Sequence, residues 1–398
     1  VEKVLARCEA WDVEAVTIGK VIAEKRNIVR FNGVEILNLD LEFTTGGPVY
    51  KRPYNLPEYE TKNAADLPNY PVDMEKTILE LASQPEISSK DWVIRQYDHE
   101  VRGRTVLKPM QGPIGKDVPG DSSVLKPVDN SWKGLALTAD VNPYLMEANP
   151  YHGTMSAVEE VCRNLAAVGA RIDSLADCLC FGNPQKPDIM GQFKASCEAL
   201  RDAAIAVDVP YVSGNVSLYN ETTEGAIPPT PVLMGVGLVD DIRKCITSDM
   251  KNQGSIWLVG KTKEEMGASL YYRTMGKDCP NIPKTDFNSF IPRMEQLIQA
   301  IEHGEVVACH DVSTGGLALA VIEMCMSGNG AKINLVEEMR ADIELFSESN
   351  GRWIVQVAKK AENNFARRFD HAIKIGDVGS KVSFSKNNEI IADFEVEK

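Results

Sequence analysis

Ser174-Leu175-Ala176-Asp177-Cys178-Leu179-Cys180, followed by Phe181-Gly182-Asn183-Pro184, is the stretch on which the fold turns. A run of mostly small or apolar residues, interrupted by Asp177 and ending in a Gly-Asn-Pro turn, reads as a short strand. Next come Phe193, Cys197, Leu200 and Ala204 at helical spacing, and then Tyr211-Val212 leading into Ser213-Gly214-Asn215. Strand, helix and strand in this order make a crossover unit, whose strands run parallel and open on one sheet edge. Asp177, Gly214, Asn215 and Ser217 are therefore expected to converge there. Asp177 would offer an anionic oxygen and Asn215 a neutral one to a single hard cation, with Ser217 reaching toward a substrate. Glycine at position 214 lets a phosphate approach the backbone. A polar loop and a solvated aspartate are the ordinary alternatives, since Gly-Asn is also a common turn pair.

Working outward, Met155, Val158, Cys162 and Leu165 recur at helical spacing, and Gly169 stands where a C-terminal cap belongs. Val232 to Val239 reads as a buried strand. A second domain is expected to begin near Ser255-Ile256-Trp257-Leu258-Val259. It continues through a helix with Ile291, Met294, Leu297, Ile298 and Ile301, closed by Gly304, and a strand from Val306 to Cys309. The alternation is α/β or α+β, and propensity alone does not choose between them. His310-Asp311-Val312-Ser313-Thr314-Gly315-Gly316 precedes a strongly apolar helix, which Asp311 or Ser313 is placed to cap and whose free N–H groups suit an anion. In Arg95-Gln96-Tyr97-Asp98-His99 the histidine reads as structural, because no nucleophile motif stands for it to serve.

Toward the N-terminus, Pro48 to Pro71 is rich in Pro, Tyr, Asn and charge and reads as an extended connector. A short helix follows, with Asp73 as N-cap and Ile78, Leu79 and Ala82 on one face. The chain opens in a helix, Val1 to Trp11, which suggests a piece of something longer. Ala15-Val16-Thr17-Ile18-Gly19-Lys20-Val21 is similar to Ala372-Ile373-Lys374-Ile375-Gly376-Asp377-Val378, preceded by Trp11-Asp12 and Phe369-Asp370 respectively. Asn32-Gly33-Val34-Glu35-Ile36 similarly matches Asn387-Asn388-Glu389-Ile390-Ile391. A repeat this long is a duplicated multi-domain unit; chance likeness between short hairpins is the alternative. The expected divisions are 1–47 (tail of a preceding copy), 48–90 (connector and short helix), 91–247 and 248–398 (the two domains of the next copy).

At 398 residues and 43% hydrophobic content, two packed domains are within reach. A net charge of -14 disfavours nucleic acid and anionic membranes as partners. No apolar run has membrane-spanning length, and no signal-peptide pattern is present. The nine cysteines are scattered; Cys178 and Cys180 lack the second pair that a zinc site needs, and a reduced, cytoplasmic setting fits.

The clusters, in order, resemble the formylglycinamide ribonucleotide amidotransferase (FGAM synthase) family of ATP-dependent ligases. The likeness is carried by Arg95 to His99 with Gly103, Ala139-Asp140-Val141-Asn142-Pro143 and Arg163-Asn164-Leu165-Ala166. It continues through Asp177 to Pro184, Gly214 to Glu221 and His310 to Gly316. The resemblance implies a duplicated architecture related to aminoimidazole ribonucleotide synthetase. Each repeat has an N-terminal α/β domain contributing to a central β-barrel and a C-terminal α/β domain. It implies ATP contacts at Asp177 and Gly214, magnesium at Asn215, and formylglycinamide ribonucleotide at Ser217. ATP would phosphorylate the amide oxygen, and ammonia would then displace phosphate. A PurQ-like glutaminase subunit or domain would supply the ammonia, with a small PurS-like subunit as a further partner. The family's catalytic histidine lies in the first repeat, which this chain lacks apart from its tail. No catalytic residue is therefore expected here, and the isolated chain should be inactive. Glu348-Ser349-Asn350 is only a relative of the first repeat's Glu-Ser-Gln substrate motif. The sheet face that would close the barrel should be apolar and self-associate as a two-fold homodimer. The alternatives are a one-repeat cyclo-ligase and a non-catalytic nucleotide-binding scaffold.

Overall fold

The computed structural model describes residues 1–57, 69–277, 279, 281–369 and 371–396. Part of the expected connector, 58–68, and Asp370 of the repeat comparison lie outside them. Two compact units are present, Val1–Arg52 and Pro53–Lys398.

In the first unit no residue is buried. A helix, Glu2–Glu9, precedes an antiparallel hairpin of Arg26–Phe31 and Val34–Asp40. Its turn residues, Asn32 and Gly33, have φ of 49° and 81°. Two consecutive left-handed residues give the turn whose twist matches that of paired strands. Asp40 then caps the helix Leu41–Gly46 by accepting from Glu42 and Phe43 N–H.

The second unit is mixed α/β and holds two large sheets. The six-stranded sheet runs Thr105–Leu107, Ser123–Leu125, Gly134–Asp140, Thr230–Val239, Arg171–Cys180, Tyr211–Ser217 across its width. Every pairing is antiparallel except the last, Arg171–Cys180 with Tyr211–Ser217, which is parallel as the crossover requires. The crossover helix is Pro187–Val207. A second helix, Pro150–Ala167, begins with Asn149 accepting from His152 N–H and Pro150 at its first position. It ends at Gly169, whose φ of 85° permits the left-handed stop. Gly235 lets this helix lie close on the sheet, since a Cβ there would meet Val161 Cγ1 at 2.3 Å.

These helices cover one face only. Ala136, Leu175, Leu179 and Leu233 face them and are buried, whereas Met234 and Leu238 on the other face are 41% and 48% exposed. The sheet is open and edged by Tyr211–Ser217; it forms no closed barrel. Its uncovered face is apolar where alternation alone would make it polar.

The seven-stranded sheet is ordered Val306–Asp311, Trp353–Val357, Ser255–Val259, Ala372–Gly379, Gly330–Leu335, Lys381–Lys386, Glu389–Glu395. The apolar helix Gly316–Cys325 is buried against it, and the helix Phe287–Glu302 joins it to the first sheet through a shared core. Trp353 is the hub of that core: it stacks on Phe290 at 5.5 Å, and its indole N–H donates to Arg163 O at 3.0 Å. The short helix is Met74–Ala82, capped by Asp73 as expected. Its buried residues are Met74, Thr77, Ile78 and Leu81, and Leu79 is 59% exposed. The expected face was one residue out of phase, because the 74, 77, 78, 81 spacing is the helical stripe. Among the described residues no helix is long and apolar enough to cross a membrane.

Candidate functional site

The crossover unit places Asp177 opposite Gly214, Cys178 opposite Asn215 and Cys180 opposite Ser217. Asp177 lies on the helix-covered face: a Cβ on Gly214 would stand 2.9 Å from Asp177 Oδ1. Glycine is therefore what leaves room for the carboxylate. Partial burial raises the pKa of Asp177, against the backbone N–H of Asn215, which bonds to the carboxylate and lowers it.

Asn215 points the other way. Its amide donates to Cys178 Sγ at 3.3 Å, on the open face that Ser217 shares. The residues thus gather at one sheet edge, as the crossover predicts, but Asp177 and Asn215 leave the sheet on opposite sides. One cation held between both side chains is not what this register provides. The reason is the two-residue alternation of a strand: Asn215 is one position past the partner of Asp177. Because Tyr211–Ser217 is an edge strand, a ligand lying along that edge can still reach both faces.

The turn beside this edge is fixed by the second half of the same motif. Glu221 accepts from Asn183 N–H at 2.8 Å and pairs with Lys186 at 2.9 Å. Asn220 donates to Phe181 O at 3.0 Å and Ser217 O at 2.8 Å. Ser217 Oγ stands 3.3 Å from the Asn220 amide oxygen. Cys178 and Cys180 place their sulfurs 3.8 Å apart on the open face, and neither is in a disulfide.

A second polar cluster is buried between the two sheets. Arg163, 1% exposed, bonds Glu159, reaches Glu160 at 3.2 Å and bonds Asp311 at 3.1 Å. Asp311 is thereby tied to the helix Pro150–Ala167 and does not cap the helix after it. That helix has Gly315 as its N-cap and no side-chain cap. The Gly315 N–H goes to Glu348 at 2.8 Å, and so does that of Leu270. Burial pushes the Glu348 carboxyl up to about 7 despite these two donors. His310 Nδ1 is 2.6 Å from Asp121, and its Nε2 is 3.1 Å from Glu323. Burial works against an imidazolium there, but Asp121 and Glu323 outweigh it and hold the His310 pKa well above the usual value. Burial raises Asp121 to about 6 against the pull of His310. At neutral pH the two form an ion pair.

Asp121, His310 and Asp311 present one ligand atom each within 4.8 Å of one another, a spacing that suits a metal. With His310 protonated and Asp311 committed to Arg163, the geometry is that of a closed ion-pair network. Asp140 and Glu160 adjoin it, and both are raised by burial, Glu160 well above the carboxylate range with Asp140 repelling it. Sequence reading missed Asp121, Glu159 and Glu160; the spacing of Glu159 and Arg163, one helical turn apart, was the available signal. His99 lies in the loop before the first strand of the six-stranded sheet: its ring nitrogen is 3.1 Å from Tyr97 O, and its backbone carbonyl accepts from Thr105 at 2.6 Å.

Family models match both halves of the second unit. The AIR synthase related protein N-terminal domain covers residues 119–239, and the C-terminal domain covers 275–385. The chain is 40% identical over 393 residues to the phosphoribosylformylglycinamidine synthase subunit PurL of Thermococcus sibiricus, covering 96% of this chain and 53% of that protein. It is 35% identical to the subunit of the same name from Methanothrix thermoacetophila, covering 98% and 53%. The chain thus spans about half the length of the curated relatives it matches. Among solved structures, T. maritima PurL complexed with FGAR aligns with a TM-score of 0.64 at 16% identity, over 82% of this chain and 53% of that one. The same protein complexed with ATP gives 0.58 at 19% identity, over 90% and 50%. At these identities the structures speak for the fold. With both domain models matched in order over more than half of its length, the chain belongs to the AIR synthase related family, and along nearly all of its sequence it is similar to relatives that share the name PurL.

Proposed function

We propose that the chain is the nucleotide-binding second half of a phosphoribosylformylglycinamidine synthase, which amidates formylglycinamide ribonucleotide with ammonia at the expense of ATP. The observation that carries this reading is the in-register pairing of Asp177 with Gly214 at an exposed sheet edge. A carboxylate lies over a residue with no side chain, beside backbone that a nucleotide can approach. T. maritima PurL has been solved in complex with ATP and in complex with FGAR, which supports nucleotide and substrate binding as the reading here.

In this reading Asp177 and Gly214 contact ATP. Asn215 supplies one neutral oxygen to a magnesium ion, and Ser217 faces the formylglycinamide ribonucleotide. The single amide suits magnesium only as one ligand beside phosphate oxygens, since Asp177 points to the other face. Magnesium, when bound, would offset phosphate charge as the phosphoryl group moves. Asp177 and the backbone at Gly214 orient the nucleotide, while Asn220 and Glu221 hold the turn that carries Ser217. The division into domains 91–247 and 248–398, after a tail in 1–47, belongs to the same proposal. So do a PurQ-like glutaminase and a small PurS-like subunit as partners, and a cytoplasmic location. The apolar open face, with Met234 and Leu238, supports the expectation that another sheet covers it.

Calorimetric titration with ATP and magnesium is the test. Saturable binding that Gly214→Leu weakens by about tenfold or more is expected; binding that is indifferent to position 214 would sink the assignment. Turnover of formylglycinamide ribonucleotide with ATP and ammonium separates the two remaining readings. Binding without turnover is the outcome for a half whose catalytic histidine lies elsewhere.

A further inference from the structure

Cys178 and Cys180 take no part in the nucleotide reading, yet the fold sets their sulfurs side by side. Both lie on the strand Arg171–Cys180, two positions apart and so on one face, with 3.8 Å between the sulfurs. That strand is paired on both sides. Val232 and Thr230 stand across one ladder from the two cysteines, and Asn215 and Ser217 across the other. Both thiols are half-buried, at the end of the strand that runs into the turn at Phe181. Asn215 places its amide 3.3 Å from Cys178 Sγ.

Two fates are open to such a pair, and distance separates them. A disulfide needs its sulfurs about 2.05 Å apart and its Cα atoms no more than about 6.8 Å apart. An extended strand rises about 3.3–3.4 Å per residue, which sets the Cα atoms of residues i and i+2 about 6.6–6.8 Å apart, at that limit. The ladders on both sides hold the strand extended and oppose the pucker that would close the gap. A tetrahedral cation of the zinc class asks for less. Its bonds to sulfur are about 2.3 Å long, which puts two coordinated sulfurs about 3.8 Å apart. The thiols already stand at that separation, so a cation bridges them without moving the backbone. Thiolate sulfur also favours such soft cations over magnesium, which prefers oxygen.

We propose that Cys178 and Cys180 form a chelating site for a thiophilic divalent cation of the zinc class, with the Asn215 amide oxygen as third donor. On binding, each thiol releases its proton to solvent and each sulfur forms one bond to the cation; nothing is oxidised or reduced. The amide needs only a half-turn about its terminal bond to present oxygen in place of nitrogen. The fourth position stays open, as in an exchangeable site and unlike a closed structural one. Asn215 is also the proposed magnesium contact, so a bound soft cation withdraws it from the nucleotide's metal. That consequence rests on the nucleotide reading; the chelation does not.

The test is titration of the reduced chain with cadmium chloride, whose bonds to thiolate absorb in the ultraviolet. One equivalent is expected to saturate the absorption; zinc should displace it and magnesium alone should not. Cys178→Ser and Cys180→Ser should each weaken binding at least about tenfold, and Asn215→Ala by less. Each variant keeps the other cysteines, so absorption that persists unchanged would place the cation elsewhere and overturn the proposal. Absence of saturable absorption, or displacement by magnesium, would overturn it as well. Calorimetric titration with ATP and magnesium, repeated on the cadmium-loaded chain, should give an affinity at least about tenfold lower. An ATP affinity unchanged by bound cadmium would overturn the role of Asn215 as third donor. Failure of the nucleotide reading looks different: ATP then fails to bind the cadmium-free chain, while the absorption still reports the chelate.

Discussion

Two regions of this molecule are rich in polar groups, and they are built on opposite terms. At the sheet edge, Asp177, Gly214 and Asn215 sit on or beside an exposed strand, and the side chains find few partners in the protein. Between the sheets, Arg163, Asp311, His310 and Asp121 are enclosed and bonded to one another. The difference teaches where a substitution should register. Removing one member of a closed network strands its partners without water, so stability suffers. Removing a group whose partner is a ligand leaves the fold alone and costs affinity.

The largest effect is expected at Arg163. Arg163→Met leaves Glu159, Glu160 and Asp311 in a dry interior without their shared cation. Denaturant unfolding should show a loss of about 3–5 kcal/mol. A loss under about 1 kcal/mol would mean that water reaches the junction and that the contrast drawn here is false.

The pH dependence comes next. Asp121 is raised to about 6 and His310 is raised above its ordinary value, so the folded state binds more protons than the unfolded chain. Stability from these groups is present in full at low pH. It falls between about pH 4 and 6 as Asp121 ionises in the fold, and falls again above pH 6.5 toward the folded pKa of His310. Glu348, raised to about 7, works in the same direction. Thermal unfolding should therefore give a higher Tm at pH 5.5 than at pH 8, and His310→Gln should flatten that difference. A Tm that climbs steadily across this window would contradict the protonated state assigned to His310.

At the sheet edge the order reverses. Gly214→Leu drives a side chain into the Asp177 carboxylate and should weaken nucleotide binding by about tenfold or more, with stability changed by about 1 kcal/mol at most. If unfolding and binding were lost together, the edge would have to be counted as part of the core. Smallest of all, Asn215→Ala should shift stability within about 0.5 kcal/mol. Its signature is a weaker dependence of nucleotide binding on magnesium concentration; an unchanged dependence would remove Asn215 from the metal's surroundings.

How much of this was legible in advance is best judged from two hairpins. Asn32-Gly33 and Asn387-Asn388 both place two successive residues at positive φ. Both link short strands, Arg26–Phe31 to Val34–Asp40 and Lys381–Lys386 to Glu389–Glu395. That turn follows from residue type, because only glycine and asparagine occupy the left-handed region readily. The neighbouring segments diverge. Residues 372–379 form a strand between Ser255–Val259 and Gly330–Leu335, whereas the similar residues 15–21 form none. A strand needs partners for its backbone, and local sequence does not supply them.

The same division runs through the candidate site. The strand from Ser174 to Cys180, the crossover helix and its return at Tyr211, the Asp73 cap and the stop at Gly169 were all written in periodicity and capping, which act over a few residues. Which face each side chain takes was decided by register. That is why Asp177 and Asn215, expected around one ion, stand on opposite sides of the sheet. The closed junction was decided later still. Asp121 meets His310 across 189 positions, and Arg163 meets Asp311 across 148. Residue types announce charges that must be matched if they are buried, but only the packing of one sheet's helices against the other determines which charges are buried and which partner each one finds.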